Sequence, residues 1–347
     1  MLDIFHIARI LGLTAVSFII ALAWTPLLVR FLEKHRLGKQ IRTEGAPIYA
    51  QMHQKKAGTP TMGGILIWLT VLFVTLLVWA LSRIFDGAFE NLNFLTRKET
   101  LLPLGALIAS ALVGLGDDLL GIFKIGSNGG GLKVRHRLLL YTIIAAFGAW
   151  WFYYKLEWDL IHIPFVGDFN LGWYYILVFV FILVATAHST NLTDGLDGLV
   201  GGILLIAFAA YGVISFAMGR MDLAAFCGAI IGALLAFLWF NIYPARFFMG
   251  DTGAMSLGIT LGIIAMLTNA FLLLLLIFFI PVLESLSVII QILSKKFRKK
   301  KVFLSAPIHH HFEAMGWHET NITMRFWIIN GVMAAAALIL IFVEQII

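Results

Sequence analysis

Long, unbroken apolar runs divide this chain from end to end, and they limit its fold more than any motif does. Crossing the hydrocarbon of a bilayer takes roughly 20 mostly apolar residues as a helix, and only helices or closed barrels satisfy their backbone groups there. The runs lack the period-2 alternation of barrel strands, so they are read as helices. Ten spans are expected, near residues 10–32, 61–81, 101–118, 138–154, 173–190, 199–217, 223–242, 253–268, 271–293 and 323–345. With 61% hydrophobic and 13% charged residues over 347 positions, a soluble domain is excluded. The expected fold class is all-α, a polytopic membrane protein of about ten transmembrane helices in a single domain, residues 1–347. The first run is too long, and too poor in a small-residue cleavage site, for a removed signal peptide, and is read as span one. Cys227, the one cysteine, falls within a span, which leaves no disulfide framework and no thiol cluster for a metal.

Orientation follows from the basic residues, which stay on the cytoplasmic side. The loops near residues 33–60, 119–137, 188–198, 243–252 and 294–322, with Arg30 and Arg325 at their edges, hold 19 of the 25 Lys and Arg. The alternate loops hold the other 6, which places both termini outside.

On that basic face five aspartates mark span ends: Asp117 and Asp118 in GDDLLG, Asp194 and Asp197 in NLTDGLDGL, and Asp251 in FFMGDTG. A carboxylate there can bind a cation without the cost of the bilayer centre. If residues 194–198 are helical, the i, i+3 spacing turns Asp194 and Asp197 to one face. Clustered carboxylates repel unless a cation neutralises them, and oxygen-only ligands favour Mg²⁺ or Mn²⁺ over Zn²⁺. Mg²⁺ is expected. Singly, each aspartate is equally readable as a helix cap, Asp251 at the start of span eight included.

The basic residues of the same face suit an anionic ligand. Lys55 and Lys56 precede a Gly and Pro turn that opens span two, where free amides and ammonium groups favour phosphate. Lys124 and Lys133 flank the glycine-rich segment after Asp118. Arg135, Arg137 and the run at 295–301 are read as membrane anchors. In the last cytoplasmic loop, His309, His310 and His311 can serve as metal ligands, proton shuttles or phosphate donors, and Pro307 and Phe312 suggest a hairpin or short helix around them. Glu284, just after Pro281 where a helix break is expected, is open between an interhelical contact and catalysis.

In this order and spacing, HQKKAGTPTMGG, GDDLLG, NLTDGLDGL, NIYPARFFMGDTG and PIHHHFEAMGWHE resemble the phospho-N-acetylmuramoyl-pentapeptide transferases of the polyprenyl-phosphate N-acetylhexosamine-1-phosphate transferase superfamily. The resemblance runs from about residue 50 to residue 328. It implies transfer of phospho-MurNAc-pentapeptide from UDP-MurNAc-pentapeptide to undecaprenyl phosphate, giving lipid I and UMP with Mg²⁺, at the bacterial inner membrane. Carried over by motif, Asp251 is the metal ligand, with Asp117 and Asp118 beside it and linked to the prenyl phosphate. Asp194, Gly195, Leu196, Asp197, Asn241 and Phe248 match the uridine pocket, Lys56, Lys124 and Lys133 the phosphate contacts, and His309, His310 and His311 the catalytic histidine motif. Direct attack by the prenyl phosphate is preferred to a covalent phospho-enzyme, because a phosphate monoester is already ionised near pH 7. Arg137 stands where the family usually has Lys, which leaves the phosphate contact after Asp118 open. The implied partners are the two substrates and membrane lipid, with no nucleic acid, and the oligomeric state is open, a homodimer included. A related transferase using UDP-N-acetylglucosamine and an ion-coupled transporter are the competing readings. PIHHHFE opposes the first, and the absence of midplane acids in two matching halves opposes the second.

Overall fold

A computed structural model describes residues 2–38, 56, 58–85, 87, 90–96, 99–126 and 130–346; Lys55 lies outside them. Eight of the described helices are long and apolar enough to cross a membrane. They are α1 (Leu2–Lys34), α2 (Ile65–Ile84), α3 (Leu101–Ile122), α5 (Tyr174–Thr193), α6 (Leu199–Ala217), α7 (Met221–Asn241), α8 (Gly250–Leu267) and α12 (Glu319–Ile346). The shorter α4 (Val134–Trp150) runs on into a π-helical turn, Trp151–Lys155, and so covers the span expected at 138–154.

The span expected at 271–293 is not straight. A 3-10 turn and α9 (Leu274–Ile277) meet α10 (Phe279–Phe297) at 85°. The break falls at Phe278 rather than beyond Pro281, because Pro281 sits in the first turn of α10, where a missing N–H forfeits no helical hydrogen bond. Two elements complete the chain: α11 (Ile308–Ala314), and an antiparallel hairpin that the hydropathy pattern did not announce. In it β1 (Leu160–Ile163) pairs with β2 (Gly167–Asn170), with His162 opposite Asp168.

Helix α8 is the axis of the molecule. All its residues except Asp251 are buried, against α3, α5, α2 and α6. Around it α1 packs on α7, α7 on α6, and α12 on α6 and the bent pair. Large apolar side chains such as Ile19, Phe181, Trp239 and Ile328 point outward, as a lipid-facing surface requires. Helix α10 is polar inward and apolar outward: Glu284, Ser287, Gln291 and Ser294 are buried, while Ile289, Ile292, Leu293 and Phe297 are exposed.

Ion pairs mark the two ends of the bundle. Arg9 and Asp222, 2.7 Å apart, join the starts of α1 and α7. At that same end His162 of the hairpin lies 3.0 Å from Glu344 near the end of α12, with Asp168 2.7 Å from its other nitrogen. The opposite end, where α3, α5 and α7 finish and α2, α6, α8 and α12 begin, gathers the aspartate motifs.

Candidate active site

Small residues set the spacing of the acids. At Gly114 of α3 a Cβ would strike the Asp251 and Thr252 backbone, so α3 and α8 touch there. One turn further along the same face come Asp117 and Asp118. The Asp118 carboxylate closes the start of α8: its two oxygens accept the backbone N–H groups of Asp251 and Thr252, each at 3.0 Å. The cap of α8 is therefore Asp118, and Asp251, in the first turn, does not serve as the cap. Asp117 accepts the Leu132 N–H at 2.6 Å and faces the Arg137 guanidinium.

Arg137 is the centre of this cluster. Its guanidinium pairs with Asp117 and lies 3.1 Å from the second partner, Asp251, while it donates to Asn191 at 3.3 Å. Asn191, in the last turn of α5, also donates to Asp251. Reading Arg137 as a membrane anchor is thus corrected: α4 begins earlier than the apolar run and carries this residue over the aspartates. Lys124 and Lys133, at the ends of the glycine-rich segment, are exposed to solvent instead.

The second cluster lies beside the first. Residues 194–198 form a turn between α5 and α6 instead of a helix, so Asp194 and Asp197 do not share a face. Asp194 accepts the Gly250 N–H at 3.2 Å, beside Asp251. Asp197 accepts the Lys56 ammonium at 2.6 Å and the Ala245 N–H at 3.0 Å. Lys56 also reaches Glu319, at 2.5 Å, at the start of α12. Burial opposes the charge on Lys56, but the hydrogen bonds and attraction of Asp197 and Glu319 outweigh it and hold the ammonium above its ordinary pKa.

Phe248 is half-buried, its ring 5.9 Å from the Lys56 ammonium. Asn241 is buried, accepting from the Gly198 N–H and donating to the Phe247 carbonyl, so it binds the α5–α6 turn to the segment before α8. Gly195 and Leu196 occupy the turn itself, Leu196 buried. The three histidines diverge, as consecutive residues of the short helix α11 must. His309 is buried against Glu284, His310 pairs with Glu313 at 2.6 Å, and His311 accepts the Leu304 N–H at 3.2 Å.

The segment at residues 60–64 runs beside residues 248–249, with Phe248 N–H to the Pro60 carbonyl and the Gly63 and Gly64 N–H groups to the Phe248 and Met249 carbonyls, all at 2.8 Å. Residues 56–67 match the phospho-N-acetylmuramoyl-pentapeptide-transferase signature 1. The phospho-N-acetylmuramoyl-pentapeptide-transferase of Chloroflexus aggregans is 41% identical over 96% of this chain and 90% of its own. The chain belongs to the phospho-N-acetylmuramoyl-pentapeptide-transferase family. The family member of Geobacillus thermodenitrificans is 40% identical over 92% of this chain and 94% of its own, and that of Clostridium novyi 39% over 92% and 92%. Residues 100–269 match Glycosyl transferase family 4, a stretch that holds all five aspartates, Arg137 and Asn191. The family signature lies outside that stretch and contributes Lys56 and the backbone that braces Phe248.

Sequence reasoning missed two residues that the fold brings in, Asn191 and Glu319, and named Arg137 as an anchor or an open phosphate contact without foreseeing its pairing with the aspartates. Asn191 carried a signal, a polar amide one turn before Asp194 at the end of an apolar run. Glu319 carried little, because its nearness to Lys56 depends on the packing of α12.

Proposed function

We propose that the protein transfers phospho-MurNAc-pentapeptide from UDP-MurNAc-pentapeptide to undecaprenyl phosphate, yielding lipid I and UMP for peptidoglycan synthesis. The reaction takes place at the cytoplasmic face of the bacterial inner membrane, with both chain termini outside. The observation that carries this reading is the seating of the family signature, with Lys56, against the segment that leads into Asp251. One substrate is a soluble nucleotide sugar and the other a phosphate on a lipid tail, so the chemistry belongs at the end of the bundle where the acids and basic loops gather.

Mg²⁺ is assigned to Asp251 and Asp117. Both carboxylates address one positive centre, the Arg137 guanidinium, which is the property a shared cation needs. No preassembled group of three His, Cys, Asp or Glu ligands occurs among the described residues. Mg²⁺ commonly uses one or two carboxylates, its own waters and substrate phosphates, so two aspartates suffice. When bound, the ion supplies neutralisation of the diphosphate and of the departing UMP. The remaining work falls to the chain. Phe248 and Lys56 receive the nucleotide, and Arg137 neutralises the Asp117 and Asp251 carboxylates in the substrate-free protein. The prenyl phosphate, ionised near neutral pH, is positioned for direct attack on the diphosphate.

Purified protein supplied with undecaprenyl phosphate, UDP-MurNAc-pentapeptide and Mg²⁺ is expected to release UMP and form lipid I, and EDTA is expected to abolish both. Lipid-linked product from UDP-N-acetylglucosamine but not from UDP-MurNAc-pentapeptide would replace this reading by that of the related transferase.

A further inference from the structure

Glu284 has no part in the chemistry just described, yet its carboxylate is completely buried within two turns of the 85° bend. Oε1 lies 3.0 Å from Nδ1 of His309, which is equally buried. Among the described residues, neither oxygen of Glu284 and neither ring nitrogen of His309 has a hydrogen-bond partner beyond this contact. Burying such a pair is unfavourable compared with apolar side chains of the same volume, so packing alone gives no reason for it. A carboxylate at Nδ1 does, however, fix the tautomer and the orientation of an imidazole.

The other edge of that imidazole abuts the α5–α6 turn. A Cβ built on Gly195 would collide with the His309 ring, and Nε2 is the first atom it would meet. Gly195 sits between Asp194, which holds the Gly250 N–H, and Leu196 and Asp197, which lead to Lys56. The helix bearing Glu284 is also bolted to the helix that ends in this turn, through a 2.7 Å hydrogen bond between Ser285 and Ser189. A shift of the imidazole is therefore passed to the turn that presents both aspartates.

We propose that Glu284 is a positioning residue for the nucleotide half of the site: it locks His309 as the back wall of the α5–α6 turn and so places Asp194 and Asp197 for the uridine diphosphate moiety. The proposal rests on the transferase reading above. It acts through His309 and the turn, without contact to substrate, and it predicts a selective loss in nucleotide binding.

Glu284→Met fills the same space without a hydrogen-bond acceptor, and Glu284→Gln keeps an acceptor but removes the charge. Two readouts decide: KM for each substrate, and calorimetric affinity for UMP without turnover. In Glu284→Met the KM for UDP-MurNAc-pentapeptide and the Kd for UMP should both rise about tenfold, with the KM for undecaprenyl phosphate unchanged, and Glu284→Gln should fall between it and the parent. Equal rises in both KM values, or an unchanged UMP affinity in a folded variant, would overturn the proposal. Should Glu284→Met fail to fold, the near-isosteric Glu284→Gln decides alone, and UMP affinity equal to the parent's refutes the lock. A parent that binds UMP but makes no lipid I overturns the transferase reading, while the calorimetric comparison still judges Glu284. A parent that binds no UMP overturns both.

Discussion

Replacing Asp118 by Asn separates the aspartate that caps a helix from the one proposed to hold the metal. Its two oxygens each accept a backbone N–H from the first turn of α8, at 3.0 Å. An Asn side chain offers one acceptor, so one of the two amides loses its partner and faces an N–H₂ group. A hydrogen bond to a charged group contributes about 1.5 to 3 kcal/mol, and a carboxylate at a helix N-terminus roughly 0.3 to 2 kcal/mol more. Asp118→Asn is therefore expected to destabilise the protein by about 2 to 5 kcal/mol. The measurement is thermal and SDS-induced unfolding in detergent, without substrate or divalent cation, beside Asp251→Asn as the contrast. Asp251 caps nothing, and its side-chain partners are Arg137 and Asn191. Asp251→Asn should unfold close to the parent yet lose at least about a hundredfold in turnover, roughly 2.7 kcal/mol of transition-state stabilisation. An Asp118→Asn variant as stable as the parent, with Asp251→Asn the one that unfolds early, would refute this division of labour.

Three further outcomes are expected. Phe248→Ala should raise the KM for the UDP-sugar and leave that for the prenyl phosphate unchanged, since a lost base-stacking ring costs roughly 1 to 3 kcal/mol; a rise confined to the lipid substrate contradicts it. Arg137→Gln should tighten Mn²⁺ binding to the substrate-free protein, measured by electron paramagnetic resonance, because the guanidinium no longer competes for Asp117 and Asp251; weaker Mn²⁺ binding means that Arg137 organises the metal site instead. At the other end of the bundle, burial opposes the charge on His162, but its hydrogen bonds to Asp168 and Glu344 prevail and hold its pKa above the ordinary 6.5. A raised pKa means that the clasp is complete below about pH 6.5 and is lost as pH climbs through the raised value, so the protection factors of the hairpin amides, corrected for the intrinsic base-catalysed rate, should step down at alkaline pH in the parent but show no such step in His162→Gln.

The apolar runs made the helices legible because length and hydropathy are properties of a segment by itself. The aspartates were legible for a related reason: charge at the end of an apolar run is conspicuous. What stayed hidden depended on pairs of segments. Asp118 and Asp117 are neighbours in sequence, yet only the approach of α8 at Gly114 decides that one caps a helix and the other faces a guanidinium. Arg137 looked like one more basic anchor until α4 began three residues before it and swung it over the acids. The bend at Phe278 was misplaced towards Pro281 because proline marks either a break or a helix start, and local sequence does not say which. The three histidines suggested joint action by adjacency, but neighbours on a helix point about 100° apart.

The burial of α8 also bears on how the protein is made. A helix with no lipid-facing side need not be strongly apolar, and this one carries Thr252, Ser256 and Thr260 among four glycines. On its own it would partition into the bilayer with less driving force than its neighbours. Its cradle, however, is formed by α2, α3, α5 and α6, all of which precede it in the chain. During synthesis the walls stand before the axis emerges, so α8 can leave the translocon directly into protein, and Asp251 reaches its partners without a passage through lipid.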